Sequence, residues 1–300
     1  MKKNLLLTLT LCLLAQWSVA QAPKWVEKAK RAVFSVVTYD ESDKILNTGN
    51  GFFVTEDGMA LSDYSLFKGA QRAVVINSEG EQMPVEVIMG ANDMYDVVKF
   101  RVAISGKKVP ALVVSPTAPT VGTSVYLLPY STQKDRSYTA GQVKEESKVE
   151  GQYHYYTLDM HLKDKMVSCP VMTADGQVFG LAQKSSGKDT ATICYAVGAD
   201  YAMSQKINPL SFNDHALSSI GIKKALPDTE EQALVYLYMA SSQQTPEQYA
   251  ELLNDFIAQY PNSADGYFRR ANSQMYLSKE ISSMDKVAAD IDKALEVAQK

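Results

Sequence analysis

Three hundred residues, 46 % of them hydrophobic, are enough for about two domains with cores of their own. The formal net charge is −4, and no basic stripe interleaved with aromatics runs through the chain, which argues against a nucleic-acid partner. No cofactor and no metal site is expected.

The chain begins with Met1-Lys2-Lys3, an apolar run from Leu5 to Ala15 and the small residues Ser18-Val19-Ala20. That pattern predicts a secretory signal peptide over residues 1–20. The run is too short to span a bilayer, and cleavage after Ala22 would leave Pro23 at the new terminus, so Ala20 is the expected site. Cys12 follows Leu11, where a lipidation site wants a small residue. The expected location is the bacterial periplasm or the cell exterior, with no membrane span after cleavage. Loss of Lys2 and Lys3 takes the net charge from −4 to −6. Only Cys169 and Cys194 then remain, and an oxidising compartment permits a disulfide between them, two buried free thiols being the alternative.

From Ala32 to about Met203, short runs rich in Val, Ile, Phe and Tyr alternate with turn signals. Strands are predicted at Ala32–Tyr39, Gly51–Thr55, Arg72–Asn77, Val85–Met89 and Val97–Val102. A second group is predicted at Val109–Val114, Ser124–Leu128, Tyr138–Val143, Tyr153–Met160, Val178–Gln183 and Ile193–Val197. Glu56-Asp57-Gly58 and Ala174-Asp175-Gly176 place Asp-Gly between strand-like runs, the chemistry of a tight hairpin. They are expected at comparable places in two halves of similar build.

Beyond about His215 the texture changes. Residues 216–228 read as a linker and 229–300 as helical hairpins. Thr229 with Gln232, and Thr245-Pro246-Glu247-Gln248, are predicted capping boxes. Ala233–Ala240 is apolar nearly all round. Tyr249, Leu252, Leu253, Phe256 and Ile257 recur at three- and four-residue steps up to Tyr260-Pro261. Further helices are predicted over Ala264–Leu277 and from Ser283 onward. Two helix pairs at a period in the mid-thirties suggest helical repeats.

Three segments of the β-rich half carry a family likeness. Gly49-Asn50-Gly51-Phe52-Phe53-Val54, Asp57-Gly58 and Leu61-Ser62-Asp63-Tyr64-Ser65-Leu66-Phe67-Lys68-Gly69-Ala70 resemble the segment holding the catalytic histidine in trypsin-like proteases of the HtrA/Deg branch. Asp93-Met94-Tyr95-Asp96-Val97-Val98-Lys99-Phe100 resembles the segment of the catalytic aspartate. Lys165-Met166-Val167-Ser168-Cys169-Pro170-Val171, with Asp175-Gly176-Gln177-Val178-Phe179-Gly180 behind it, resembles the nucleophile loop. The resemblance implies a chymotrypsin-like double antiparallel β-barrel over residues 21–215, followed by an α-helical module, a multidomain β + α chain. Within the helices, Tyr267–Asn272 and Asp290–Glu296 resemble the two helices of a tetratricopeptide repeat, with Ala271 in the small-residue position. Two repeats are fewer than a stable solenoid needs, so these helices must pack on the barrels or continue into something else.

On this alignment the histidine position holds Ser65, the aspartate position keeps Asp96 and the nucleophile position holds Val167. A triad needs an imidazole to take a proton and a hydroxyl to attack, and valine has no atom for the second task. The oxyanion loop, Lys165-Met166-Val167, has lost the glycine before the nucleophile, and Ser168 replaces the one after it, where the backbone wants freedom. Ser65 and Asp96 are expected to form a structural remnant at the barrel interface. His154, His161 and His215 stand elsewhere, as surface or packing residues. Two alternatives for an active enzyme are Cys169 as nucleophile and Lys165 activating Ser168; both need a base or a lysine poised by burial. The expected role is that of a catalytically inactive pseudoprotease that binds a protein or peptide partner or serves as a scaffold, the alternative an active serine-type, or atypical Cys or Ser-Lys, endopeptidase.

Overall fold

The computed structural model describes residues 22–132, 137–183, 193–277 and 284–299. The predicted signal peptide lies outside the described residues.

A short helix, α1 (Val26–Lys30), leads into twelve strands that close two barrels. The first barrel contains β1 (Val33–Tyr39), β2 (Ile45–Phe53), β3 (Met59–Ser62), β4 (Arg72–Ile76), β5 (Gln82–Asn92) and β6 (Val97–Val102). Its strand order is β1-β2-β3-β6-β5-β4 with every pair antiparallel. The second barrel contains β7 (Ser124–Leu127), β8 (Thr139–Val149), β9 (Tyr153–Asp159), β10 (Pro170–Met172), β11 (Val178–Gln183) and β12 (Ile193–Gly198), in the order β7-β8-β9-β12-β11-β10. The two orders are the same topology used twice.

Strand propensity explains β1, whose sequence VFSVVTY puts β-branched and aromatic side chains alternately into the barrel. Phe34, Phe53, Phe67 and Phe100 meet inside the first barrel, with Phe34–Phe53 ring centroids 4.7 Å apart and Phe67–Phe100 4.9 Å apart. Each fully buried ring contributes about 1.5–3 kcal/mol from burial. In the second barrel Tyr156 meets Phe179 edge-on at 5.0 Å.

Both Asp-Gly turns form, each as Thr-x-Asp-Gly. Gly58 N–H donates to the Thr55 carbonyl (3.3 Å) and Gly176 N–H to the Thr173 carbonyl (3.1 Å). The two glycines have φ of +92° and +85°, the left-handed region that favours glycine. They do not stand at comparable places. The first turn joins β2 to β3, whereas the second joins β10 to β11, the fourth and fifth strands of its barrel. The place equivalent to the first turn is Glu150-Gly151 between β8 and β9, where both residues have positive φ.

One strand expectation needs correction. Residues 109–114 form no strand, only a single bridge from Val114 to Val178. Pro110 has no N–H to offer a ladder, and the segment serves as a strap whose Leu112 N–H donates to the Phe53 carbonyl (2.9 Å). The strand places left over are taken by β3 and β10, both inside the family-like segments.

Residues 216–228 are not a free linker. Following α3 (Ala199–Ser204), this segment opens within α4 (His215–Ser218) and buries Ala216, Leu217, Ile220, Ile222 and Leu226 against the first barrel. Ile88 on β5 donates to the Lys223 carbonyl and accepts from Ala225 N–H, both at 2.8 Å. The helices α5 (Glu230–Ala240), α6 (Pro246–Gln259), α7 (Ala264–Leu277) and α8 (Met284–Ala298) follow. Tyr236, Leu237, Leu253 and Phe256 join the same core as the first barrel, so helices and barrel share one apolar interior. The Thr245 capping box is complete, while at Thr229 only the threonine half forms. Arg270 grips the buried Asp290 with two bonds (2.8 and 2.6 Å), tying α7 to α8.

Candidate functional site

The seam between the barrels is assembled from five places. β2 brings Asn50, the end of β3 brings Asp63, and the four-residue helix α2 (Tyr64–Phe67) brings Ser65. The β5–β6 connection brings Asp96. From the second barrel, a 3₁₀ turn (Asp164–Met166) and the residues before β10 bring Val167, Ser168 and Cys169.

Ser65 and Asp96 do meet. The Asp96 carboxylate accepts from Ser65 N–H at 2.6 Å and from Ser65 Oγ at 3.0 Å. Asp96 holds φ of +51°, a backbone state uncommon outside glycine and asparagine-like residues. The pair is solvent-accessible and both partners belong to the first barrel, so it ties α2 to the β5–β6 connection and does not hold the interface together.

The bridge between barrels is Asn50, a residue that the family likeness did not single out. Its side-chain amide donates to the Lys165 carbonyl (3.0 Å) and to the Val167 carbonyl (2.9 Å) at only 7 % exposure. Ser62 Oγ donates in turn to the Asn50 carbonyl at 2.6 Å. Met166 N–H donates to the Lys163 carbonyl (2.8 Å) and Ser168 N–H to the Ala182 carbonyl (2.8 Å). The loop is thus pinned from both sides. Further across the seam, Gln183 donates to the Tyr95 carbonyl, and the Tyr95 ring packs on Tyr201 at 5.2 Å.

Asp63 is the second residue that sequence reasoning passed over. It is 2 % exposed, and its Oδ1 has no hydrogen-bond partner. Burial, with the nearby Asp96 charge adding to it, pushes this carboxyl well above the usual carboxylate range. Ser168 lies close enough to oppose that shift, yet its Oγ also lacks a bond of acceptable geometry. Ser168 is 1 % exposed and has φ of +64°, so serine occupies a left-handed position of the kind that favours glycine.

Cys169 and Cys194 are both free and buried, not paired. β11 stands between β10, which follows Cys169, and β12, which carries Cys194. Two strand spacings of about 4.8 Å exceed the ~7 Å limit for a disulfide. Burial drives both thiols up to about 12, so neither is a thiolate near neutral pH. Lys165 is exposed while Ser168 is buried, and no bond joins them. His154 stacks on Tyr156 with Nε2 3.3 Å from Glu146, and His215 Nδ1 lies 3.5 Å from Asp93. His161 is exposed after β9. Among the described residues no cluster of three or more metal-ligating side chains forms, and no helix is long and apolar enough to cross a membrane.

With this geometry in place, comparison with known proteins is informative. Residues 49–181 match the family model described as trypsin-like peptidase domain, a span that contains Ser65, Asp96 and Val167. Among solved structures, the chain is similar to the Rv3671c protease from M. tuberculosis in its active form, at 17 % identity and a TM-score of 0.53, covering 70 % of this chain and 89 % of that one. The barrels have the trypsin-like peptidase fold. No curated protein matches the sequence.

Proposed function

We propose that this chain is a pseudoprotease, a trypsin-like fold that binds a peptide or protein without cutting it. One observation carries the reading: Val167 stands in the loop pinned by Asn50, at the position the family likeness gives to the attacking hydroxyl. Hydrocarbon cannot attack a carbonyl, and the hydroxyl of Ser65 is committed to Asp96 where an imidazole would be needed. The alternative of an active endopeptidase lacks a nucleophile here. Ser168 is buried with an unbonded hydroxyl, Cys169 is a buried neutral thiol, and Lys165 is exposed.

On this reading an extended partner segment lies along the seam and forms main-chain hydrogen bonds. The helices α5–α8, read as a tetratricopeptide-like module, offer a second surface for a protein partner. The N-terminal segment directs the chain out of the bacterial cytoplasm, to the periplasm or beyond. The test is incubation of the purified protein with an unfolded protein substrate and with a fluorophosphonate probe. No cleavage and no labelling are expected. Cleavage that disappears when a single seam side chain is changed would overturn the proposal.

A further inference from the structure

Away from the seam, five cations line one recess between the first barrel and α6. Lys99 and Arg101 come from β6, Lys206 from the segment after α3, and Lys223 and Lys224 from the segment joining α4 to α5. The recess measures about 520 Å³, within the ~300–1,000 Å³ range of small-molecule sites. Three carboxylates share it: Glu86 on β5, Asp228 before α5 and Asp255 on α6.

Two of the cations are already matched. Lys223 Nζ lies 2.6 Å from Asp255, and Arg101 pairs with Asp57. The other three make no ion pair of bonding distance among the described residues. Lys99 is 8 % exposed, and its ammonium donates to the Met203 carbonyl at 2.7 Å. Lys224 donates to the Ile220 carbonyl. Each of these bonds uses one of three donors, and neither acceptor carries a charge. A lysine that merely snorkels keeps its ammonium in water, whereas the Lys99 ammonium is held inside. Burial lowers both groups. For Lys99 the neighbouring Lys206 adds to the shift and Asp228 opposes it, and Lys224 falls to about 8. Keeping such charges without a directly bonded countercharge costs stability, and perturbed groups of this kind cluster at binding sites.

The backbone that carries them is fixed. Lys224 sits between the two hydrogen bonds that hold its segment to Ile88. A Cβ at Gly90 would come within 2.6 Å of Lys206 N, so glycine there lets the Lys206 segment lie directly on β5. We propose that this recess binds a small oxyanion-bearing ligand, a phosphate ester or a polycarboxylate, through Lys99, Lys206 and Lys224. The anion supplies a bonded countercharge that the recess carboxylates, none within ion-pair distance of these three lysines, do not provide.

Calorimetric titration of the purified protein with inorganic phosphate and with citrate, at fixed ionic strength, tests this. Saturable binding of at least one of them is expected, phosphate alone pointing to a phosphoryl ligand and citrate alone to a polycarboxylate. Lys206→Met and Lys224→Met should each weaken binding about ten-fold or more, while Lys144→Met, exposed on β8 of the second barrel and outside the recess lining, leaves it unchanged. Affinity should fall between about pH 7.5 and about pH 9.5 as Lys224 gives up its proton. Failure of both anions to saturate below about 10 mM, or unaltered binding in both recess variants whose melting shows them folded, would overturn the proposal.

Discussion

Asp63 and Asp96 stand at the two ends of one small region, and their surroundings treat them in opposite ways. Asp96 is solvent-accessible, sits on a strained backbone and receives two hydrogen bonds from Ser65. Asp63 has an ordinary extended backbone, is buried, and has one carboxyl oxygen with no donor at all. The same side chain is therefore an anchored anion in one place and a carboxyl driven toward its neutral form in the other. What decides between them is the supply of donors, because desolvation is tolerable only when hydrogen bonds replace the lost water. The outer half of the seam is satisfied; the inner half, with Asp63 and Ser168, stores unmet polarity.

The largest effect is expected where the inner half is held together. Asn50→Ala strips the donor from two loop carbonyls in a buried setting and should cost about 2–4 kcal/mol, read as a lowered urea midpoint. An unchanged midpoint would mean the loop does not depend on the first barrel. Next comes the buried carboxyl itself. A folded-state value raised above the unfolded one contributes stability below about pH 4 that is lost as pH rises through the folded value. Asp63→Asn should remove that slope. The variant should match the wild type near about pH 4 and exceed it by about 1–3 kcal/mol near about pH 7.5. Parallel pH profiles for the two proteins would erase the contrast drawn above. The smallest effect belongs to the outer half. Asp96→Ala loses two exposed bonds and should lower stability by about 0.5–1.5 kcal/mol, visible as a small drop in melting temperature. A loss as large as that of Asn50→Ala would show that the outer pair is structural after all.

Local chemistry made much of this molecule readable in advance. Thr-x-Asp-Gly forced two tight turns, Thr245 with Pro246 and Gln248 opened α6, and the three- and four-residue spacing of Leu252, Leu253, Phe256 and Ile257 marked its buried face. These signals act within a few residues, where backbone sterics and periodicity dominate. The likeness to trypsin-like proteases likewise located Ser65, Asp96 and Val167, and the first two do meet. The linker expectation failed because residues 216–228 carry apolar side chains with no regular period, and only pairing with β5 turns them into a packed segment. The disulfide failed for a similar reason, since two cysteines in sequence say nothing of the strand that separates them.

By itself the chain of residues determined the turns, the strand and helix types, and a hydrocarbon side chain at position 167, because each depends on what a side chain is. Only the tertiary structure decided that Asn50 would grip two carbonyls contributed by residues more than a hundred positions away, that Asp63 would be left without a donor, and that three unpaired lysines would share one recess. Those properties depend on which groups are near which others, and on how much water is left between them.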